Sequence, residues 1–485
     1  MQENVIICGD NMAVMAGMEA NSIDTIITDP PYGLGFMGKE WDTFKPEYLN
    51  KKRTADRKRK PRTDGRKGAA WNNGADAGTY DYNRNAEFQQ WFTLWAKEVL
   101  RIAKPGAMML VFGGTRTFHR LTCAIEDAGW QIRDCMMWLY GSGFPKSHDI
   151  SKAIDKAKGA EREVVGQIKR GDVQAAKSKG AGYLADPANR NNEKQFGYGT
   201  ENITAPATDL AKQWNGYGTA LKPAWEPIIV AMKPLDGTFA HNAEKWGVGG
   251  LWIDGGRIEG PSWNYPKGAG TGGYSTGKFM GEIGKGQKTN PYLEKPVESH
   301  PQGRWPANLI LDEESSAMLD EQSGTLAGGT GETKTYGEYH NDKRFNASKQ
   351  VNCLSYKGSG GASRFFYCAK ASRSERNAGL EGMEAQITDD GREKKIDNAY
   401  LRGKTLRQNN HPTVKPLKLM EYLCKLTRTP DGGVVLDPFG GSGTTAVACR
   451  NTGRKYILIE KDPHYCEIAR ARVKEARAGQ GALFK

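Results

Sequence analysis

Residues Ile23-Asp24-Thr25-Ile26-Ile27-Thr28 form a short apolar run that ends in Asp29-Pro30-Pro31-Tyr32. Such a run has the composition of a strand buried on both faces, the habit of parallel sheets flanked by helices. Ligand sites in open α/β sheets lie just past the carboxyl ends of such strands. Two successive prolines fix φ twice and remove two backbone donors, and their carbonyls remain to accept. The tetrapeptide therefore gathers a carboxylate, stiff carbonyls and an aromatic ring at one place. A carboxylate and a carbonyl can hold the two N–H bonds of one amino group, and a tyrosine ring can stack on a flat heterocycle. That combination suits a nucleobase with an exocyclic amine. Taken alone, the tetrapeptide equally describes a strand closed by a Pro-Pro turn with a surface acid.

The same strand-then-acid pattern stands at the start of the chain. Residues 5–10 read as a strand ending in Asp10, and a helix through Met12, Met15 and Met18 follows. Asp10 and Asp29 thus sit at equivalent strand ends of a β-α-β unit. Phe88, Phe92, Trp95, Val99 and Ile102 step by four, three, four and three, an apolar helical stripe stopped by Lys104-Pro105-Gly106. A strand over 107–112, a helix carrying Phe118, Leu121 and Ile125, and a strand over 132–139 complete the order of a doubly wound sheet.

The pattern then changes. Residues 141–221 are polar and lysine-rich, with one helix expected at 148–158, and 226–232 reads as a strand returning to the first sheet. Residues 235–405 are rich in Gly, Asn, Ser and Tyr, with strand candidates at 250–253 and 308–311 and a near low-complexity loop at 266–300. Cations and rings interleave here: Arg257, Trp263, Tyr265, Lys278, Arg304, Trp305, Arg364, Phe365, Phe366 and Tyr367. That suits nucleic acid, and it suits an ordinary polar surface equally well.

Order returns with a helix through Leu419, Leu423 and Leu426, stopped by Pro430 and Gly432-Gly433. Next come the strand 434–437, the turn Pro438-Phe439-Gly440-Gly441-Ser442-Gly443-Thr444-Thr445, a strand ending in Glu460, and a helix carrying Tyr465, Ile468 and Ala469. Gly441-x-Gly443-x-x-Ala446 with a terminal acid on the next strand fits the dinucleotide fingerprint. The glycines let a ligand approach the backbone, and the acid accepts two ribose hydroxyls. This pattern does not separate NAD from S-adenosylmethionine, since both carry an adenosine ribose.

Charge points to the partner. Among 485 residues, 69 Lys and Arg face 56 Asp and Glu, a net charge of +13, which favours a polyanion. Residues 51–67 hold ten basic and two acidic side chains. Lys51, Lys52, Arg53, Arg57, Lys58, Arg59, Lys60 and Arg62 are therefore candidate phosphate contacts, in a run that cannot bury itself. The eight cysteines form no Cys-x-x-Cys pair, which argues against a zinc site or a disulfide framework and for a reducing, cytoplasmic home. No apolar run is long enough to cross a bilayer, and the first residues lack the parts of a signal peptide.

With Asp29-Pro30-Pro31-Tyr32, His411-Pro412-Thr413-Val414-Lys415-Pro416, Asp437 to Thr445 and Ile459-Glu460 in this order, the chain resembles the amino-methyltransferases of DNA. The likeness is to the permuted group, whose catalytic motif precedes its cofactor motif. It implies one Rossmann-like, S-adenosylmethionine-dependent α/β domain built from both chain ends. Residues 1–140 would be its catalytic half, 222–234 a returning strand and 406–475 its cofactor half. Residues 141–221 would be an insertion, 235–405 the target-recognition region and 476–485 a tail. Where the family often has His-Glu at the start of the returning strand, this chain has Trp225-Glu226.

The resemblance also implies roles. Asp29 and the Pro30 carbonyl would accept the amino protons of a flipped base, with Pro31 stiffening the turn and Tyr32 stacking on the base. Glu460 would hold the ribose diol and Asp10 the adenosyl or sulfonium side. Phe439, Gly441 and Gly443 would shape the cofactor wall, with Asp437 and Thr444 in the same loop. Thr413 and Lys415 would hold the methionine end. Cytosine C5 chemistry needs a cysteine, usually presented after proline, and the chain has no Pro-Cys dipeptide. The aspartate form of the tetrapeptide favours adenine N6. Cytosine N4, an inactive DNA-binding subunit and an RNA methyltransferase are the alternatives. The expected partner is double-stranded DNA, with a homodimer and a cognate restriction endonuclease as further partners the resemblance allows.

Overall fold

All six residues of the strand Ile23–Thr28 are buried, as its composition requires of a strand covered on both faces. A computed structural model of the chain describes residues 2–33, 82–143, 147–169, 200–259, 302–325, 360–369, 374–388, 405–411 and 413–476. The basic run 51–67 and the segment 266–300 lie outside the described residues.

The first part of the chain runs β1 (Val5–Cys8), α1 (Asn11–Ala16), β2 (Ile23–Thr28), α2 (Tyr82–Ile102), β3 (Ala103–Phe112), α3 (Phe118–Asp127) and β4 (Gln131–Leu139). The middle holds α4 (Ile150–Lys158), β5 (Val164–Lys169), β6 (Thr200–Thr204), α5 (Asp209–Gln213), β7 (Trp225–Met232), α6 (Phe239–Trp246), β8 (Leu309–Asp312), α7 (Glu313–Ser323), β9 (Tyr367–Ala369), β10 (Gln386–Thr388) and β11 (Thr405–Arg407). The last part runs α8 (Leu417–Leu426), β12 (Val434–Asp437), α9 (Thr444–Asn451), β13 (Lys455–Glu460) and α10 (Pro463–Glu475). No helix among the described residues is long and apolar enough to cross a membrane.

One nine-stranded sheet has the order β1-β13-β12-β2-β3-β7-β4-β8-β9. Only β7 runs against its neighbours, β3 and β4. The last two strands of the chain lie between β1 and β2, so both chain ends build one sheet. The carboxyl ends of β13, β12 and β2 therefore open on the same edge, which puts the glycine turn and the Pro-Pro turn side by side.

Helices cover both faces. Phe88, Phe92, Trp95, Val99 and Ile102 of α2 are buried with Ile26, Met109 and Leu436. Leu419, Leu423 and Leu426 of α8 are buried with Ile27, Leu110 and Leu458. Each such side chain contributes about 1.5–3 kcal/mol on burial, before the cost of ordering it.

Two expectations change. Residues 250–253 are not a strand: the Trp252 N–H donates to the Leu426 carbonyl at 2.7 Å, and the chain enters a short 3₁₀ turn at Asp254–Gly256. This apolar stretch satisfies the end of α8 rather than pairing with a strand. The run at 308–311 is a strand, but it joins the main sheet as β8, parallel to β4. Arg304 and Trp305 precede β8, and Arg364 and Phe365 precede β9. This cation-and-ring cluster therefore lies toward the amino ends of those strands, away from the edge carrying Asp29.

Candidate active site

Asp29 follows the last residue of β2, and its two oxygens are already engaged. The Tyr32 hydroxyl donates to Asp29 Oδ1 at 2.8 Å, and Lys415 Nζ lies 2.7 Å from Oδ2. Glu226, the second residue of β7, places Oε2 3.2 Å from Lys415 Nζ and 3.2 Å from the Tyr32 hydroxyl. Lys415 Nζ also donates to the Tyr32 hydroxyl at 3.2 Å and stands 4.9 Å from the centre of the Phe112 ring. Thr117 Oγ1 donates to the Tyr32 carbonyl at 2.7 Å, which pins the turn to the start of α3.

Electrostatics follow from this ring of groups. Burial alone lowers an ammonium's pKa, but the charges of Asp29 and Glu226 and the hydrogen bonds to both outweigh it and hold Lys415 above the ordinary lysine range. The Tyr32 phenol is pushed up by burial first and then by the two carboxylates, so it stays a donor. Burial, then the Glu226 charge, pushes the nearby Tyr140 up to about 12.

The glycine turn forms the second half. The Gly9 N–H donates to the Glu460 carbonyl at 2.9 Å, and the Gly441 N–H donates to Glu460 Oε2 at 2.7 Å. Asp10 caps α1 by accepting from the Met12 and Ala13 amides, and Lys461 Nζ lies 3.8 Å from it. Burial raises the Glu460 pKa, against the amide bonds from Asp462 and Gly441. Gly441 has φ of 51°, and a Cβ there would meet the His411 imidazole at 2.8 Å. Gly443 has φ of 83°, and its Cβ would meet Ala469 at 2.8 Å. Only glycine fits either position without strain. His411 packs edge-on against Tyr465 at 4.6 Å and accepts at Nδ1 from the Thr413 amide at 3.4 Å. Burial, with the charges of Arg376, Lys415 and Arg472, pushes its pKa down to about 4, so the ring is neutral at neutral pH.

Asp437 joins the two halves from beneath. Thr28 Oγ1 and the Phe439 amide donate to Oδ1 at 2.6 and 3.1 Å, and Thr445 Oγ1 donates to Oδ2 at 2.6 Å. Burial pushes its pKa up to about 6, against those three hydrogen bonds.

The structure thus brings Asp29, Pro30, Pro31 and Tyr32 together with Lys415, and Asp10, Gly441, Gly443 and Glu460 together around the neighbouring strand ends. It corrects two expectations, those for Asp437 and Thr444. Asp437 is buried with both oxygens held by protein donors, so it braces the loop rather than facing a ligand. Thr444 is buried and its hydroxyl accepts from Arg472 at 3.0 Å. Phe439 is partly buried at the edge of the core, packed against Trp95, Trp91 and Phe92 with ring centres at 5.7, 6.2 and 6.4 Å. Lys415 Nζ pairs with Asp29 and Glu226, beside the tetrapeptide. The buried Arg472 went unread because it stands in no local motif, and Glu226, noted only as opening the returning strand, was given no role in the site. Pro412 and the basic residues Lys51, Lys52, Arg53, Arg57, Lys58, Arg59, Lys60 and Arg62 lie outside the described residues. Among the described residues, no group of acids, histidines or cysteines is arranged to hold a metal ion.

The residues fit an adenosine-bearing cofactor. Gly441 provides a cradle that a Cβ would fill, and Glu460 provides a carboxylate at the end of β13 beside it. A DNA methylase family profile matches residues 23–245 and 285–471. The type II methyltransferase M.HindIII of Haemophilus influenzae is 25% identical over 264 residues, 54% of this chain and 67% of that protein. The type II methyltransferase M2.DpnII of Streptococcus pneumoniae is 45% identical over 64 residues, 13% of this chain and 24% of that protein. Among solved structures, PvuII DNA methyltransferase (cytosine-N4-specific) aligns at 13% identity over 97% of this chain and 86% of its own, with a TM-score of 0.38. With the profile matched over most of its length and both motif halves meeting at one sheet edge, the chain belongs to the N6/N4 DNA methylase family.

Proposed function

We propose that this DNA methylase transfers a methyl group to N6 of an adenine flipped out of double-stranded DNA. The supporting observation is the position of Asp29, with Tyr32, one hydrogen-bonded strand away from the glycine turn through Thr28 and Asp437. S-adenosyl-L-methionine, the cofactor of this family, supplies an electrophilic methyl group when bound.

Glu460 would accept the ribose hydroxyls, Gly441 and Gly443 would admit the cofactor to the backbone, and Asp10 and Thr413 would line its ends. Asp29 and the Pro30 carbonyl accept the two amino protons of the target base. That draws the nitrogen lone pair out of the ring system and toward the methyl. Asp29 also faces the positive charge that develops on that nitrogen, in a site shielded from water. Tyr32 stacks on the extruded base, worth about 1–3 kcal/mol against an unpairing cost of a few kcal/mol. Lys415 Nζ, 2.7 Å from Oδ2, holds the Asp29 carboxylate in place. The basic run with Lys51, Arg57 and Arg62 would take DNA phosphates, and the order of the motifs supports a reading as the permuted group.

The test is methyl transfer to unmodified plasmid DNA by wild type and by Asp29→Ala. The variant should bind S-adenosylmethionine as wild type does and transfer no methyl group. Transfer at the wild-type rate would refute the role of Asp29.

A further inference from the structure

Glu226 enters the pocket from β7, the one antiparallel strand of the sheet, where it pairs with Trp138 of β4. Its neighbour Trp225 packs edge-on against Phe118 at 5.8 Å, which fixes the start of the strand against α3. From there Glu226 touches the two groups that Asp29 touches. Lys415 Nζ is 2.7 Å from Asp29 and 3.2 Å from Glu226, and the Tyr32 hydroxyl is 2.8 Å from Asp29 and 3.2 Å from Glu226. One ammonium and one phenol are thus shared by two carboxylates, and Glu226 is the longer partner of both.

This arrangement poses a chemical problem for the proposed reaction. An incoming amine needs room at an Asp29 oxygen, and each oxygen already takes one short contact, from the Tyr32 hydroxyl or from Lys415 Nζ. Displacing Lys415 from its only carboxylate would strand a buried ammonium, which costs several kcal/mol. A second carboxylate within reach removes that cost, because the ammonium and the phenol shorten one contact as they lengthen another.

We propose that Glu226 is a positioning residue that takes over Lys415 and the Tyr32 hydroxyl when the target amine takes Asp29. The exchange rests on the reading of Asp29 as the acceptor of the amine. Among the described residues, the charged and titratable groups around Glu226 are Lys415 of the segment before α8, Asp29 and Tyr32 after β2, and Tyr140 after β4. None of them lies on β7 itself, so the side chain is exchanged among neighbours rather than held by its own strand. No covalent step involves Glu226.

The test compares wild type, Glu226→Gln, Glu226→Asp and Asp29→Ala in single-turnover transfer of a tritiated methyl group to DNA. Calorimetric titration with S-adenosylmethionine and thermal melting run in parallel. Glutamine keeps the shape and removes the charge. Glu226→Gln should transfer about tenfold slower or worse, the size of one charge-assisted hydrogen bond. Its cofactor affinity should stay within about twofold and its melting temperature should hold, since Glu226 does not touch the glycine turn. Glu226→Asp should recover part of the rate. A Glu226→Gln rate equal to wild type would overturn the exchange, as would a loss matched by weaker cofactor binding and lower melting. An Asp29→Ala protein as fast as wild type would overturn the reading of Asp29 and the exchange together, whereas a dead Asp29→Ala with a normal Glu226→Gln would overturn the exchange alone.

Discussion

Thr28 and Asp437 stand 409 residues apart in the chain and share a 2.6 Å hydrogen bond between neighbouring strand ends. That contact sets the distance between the Pro-Pro turn and the glycine turn, so the two motifs act as one site. Asp437→Ala would leave the hydroxyls of Thr28 and Thr445 and the amide of Phe439 without their acceptor in a buried place. The expected loss is about 2–4 kcal/mol of stability, with cofactor affinity and methyl transfer falling together. Denaturant melts and cofactor titration check it. Loss of transfer alone, with the glycine turn still binding cofactor normally, would contradict the bracing role.

The same carboxylate sets a pH dependence. Burial raises its folded pKa to about 6 from an ordinary 3.8, so between those values the folded protein binds more protons than the unfolded one. Stability then falls as pH rises through that window, and the penalty is complete about one pH unit above the folded pKa. The stability difference between wild type and Asp437→Asn should therefore shift by about 2 kcal/mol against wild type from pH 4 to pH 6. A difference that is flat with pH would contradict a buried, ionisable Asp437.

Gly441 is the narrowest point between the glycine turn and His411. Gly441→Ala adds a methyl group that would sit 2.8 Å from the imidazole, at a φ of 51°. Cofactor binding should weaken about tenfold or more while the fold survives, because the strain is local to the turn. Gly443→Ala meets Ala469 on α10 instead and should lower the melting temperature as well. Equal cofactor affinity in Gly441→Ala and wild type would argue that His411 moves freely.

Lys415 is the cation between two carboxylates. Lys415→Met would leave Asp29 and Glu226 without the cation they share. Methyl transfer should fall at least about 100-fold. Cofactor titration should change little. A large loss of cofactor affinity with little change in transfer at saturating cofactor would instead return Lys415 to the methionine end.

The run at 51–67 carries its prediction in its charge. Replacing Lys58, Arg59 and Lys60 by glutamine should weaken DNA binding across sequences and reduce the slope of log affinity against log salt by about two to three. An unaltered slope would remove the phosphate role.

How much of this was legible in the sequence depends on where each signal lies. The strands leading to Asp10, Asp29, Asp437 and Glu460 are apolar runs followed closely by an acid, and the structure has all four strands, the first ending at Cys8 and the second at Thr28. The stripe from Phe88 to Ile102 is strictly periodic, and its residues are buried as one face. Glu226 was not legible because it lies 194 residues from Tyr32, and its role depends on β7 slotting between β3 and β4. Lys415 and Thr444 sit inside recognisable motifs, yet a motif does not say which way a side chain turns. One lies against Asp29 and the other against Arg472. The apolar letters at 250–253 read as a strand, but periodicity over four residues cannot separate a strand from an anchored loop.

The most direct test is mass spectrometry of nucleosides from plasmid DNA grown in methylase-deficient cells with and without this chain. The account predicts N6-methyladenine only in the cells that express it, and none with Asp29→Ala. N4-methylcytosine in its place would contradict the adenine assignment, and no modified base from a protein that binds S-adenosylmethionine would contradict DNA methylation itself.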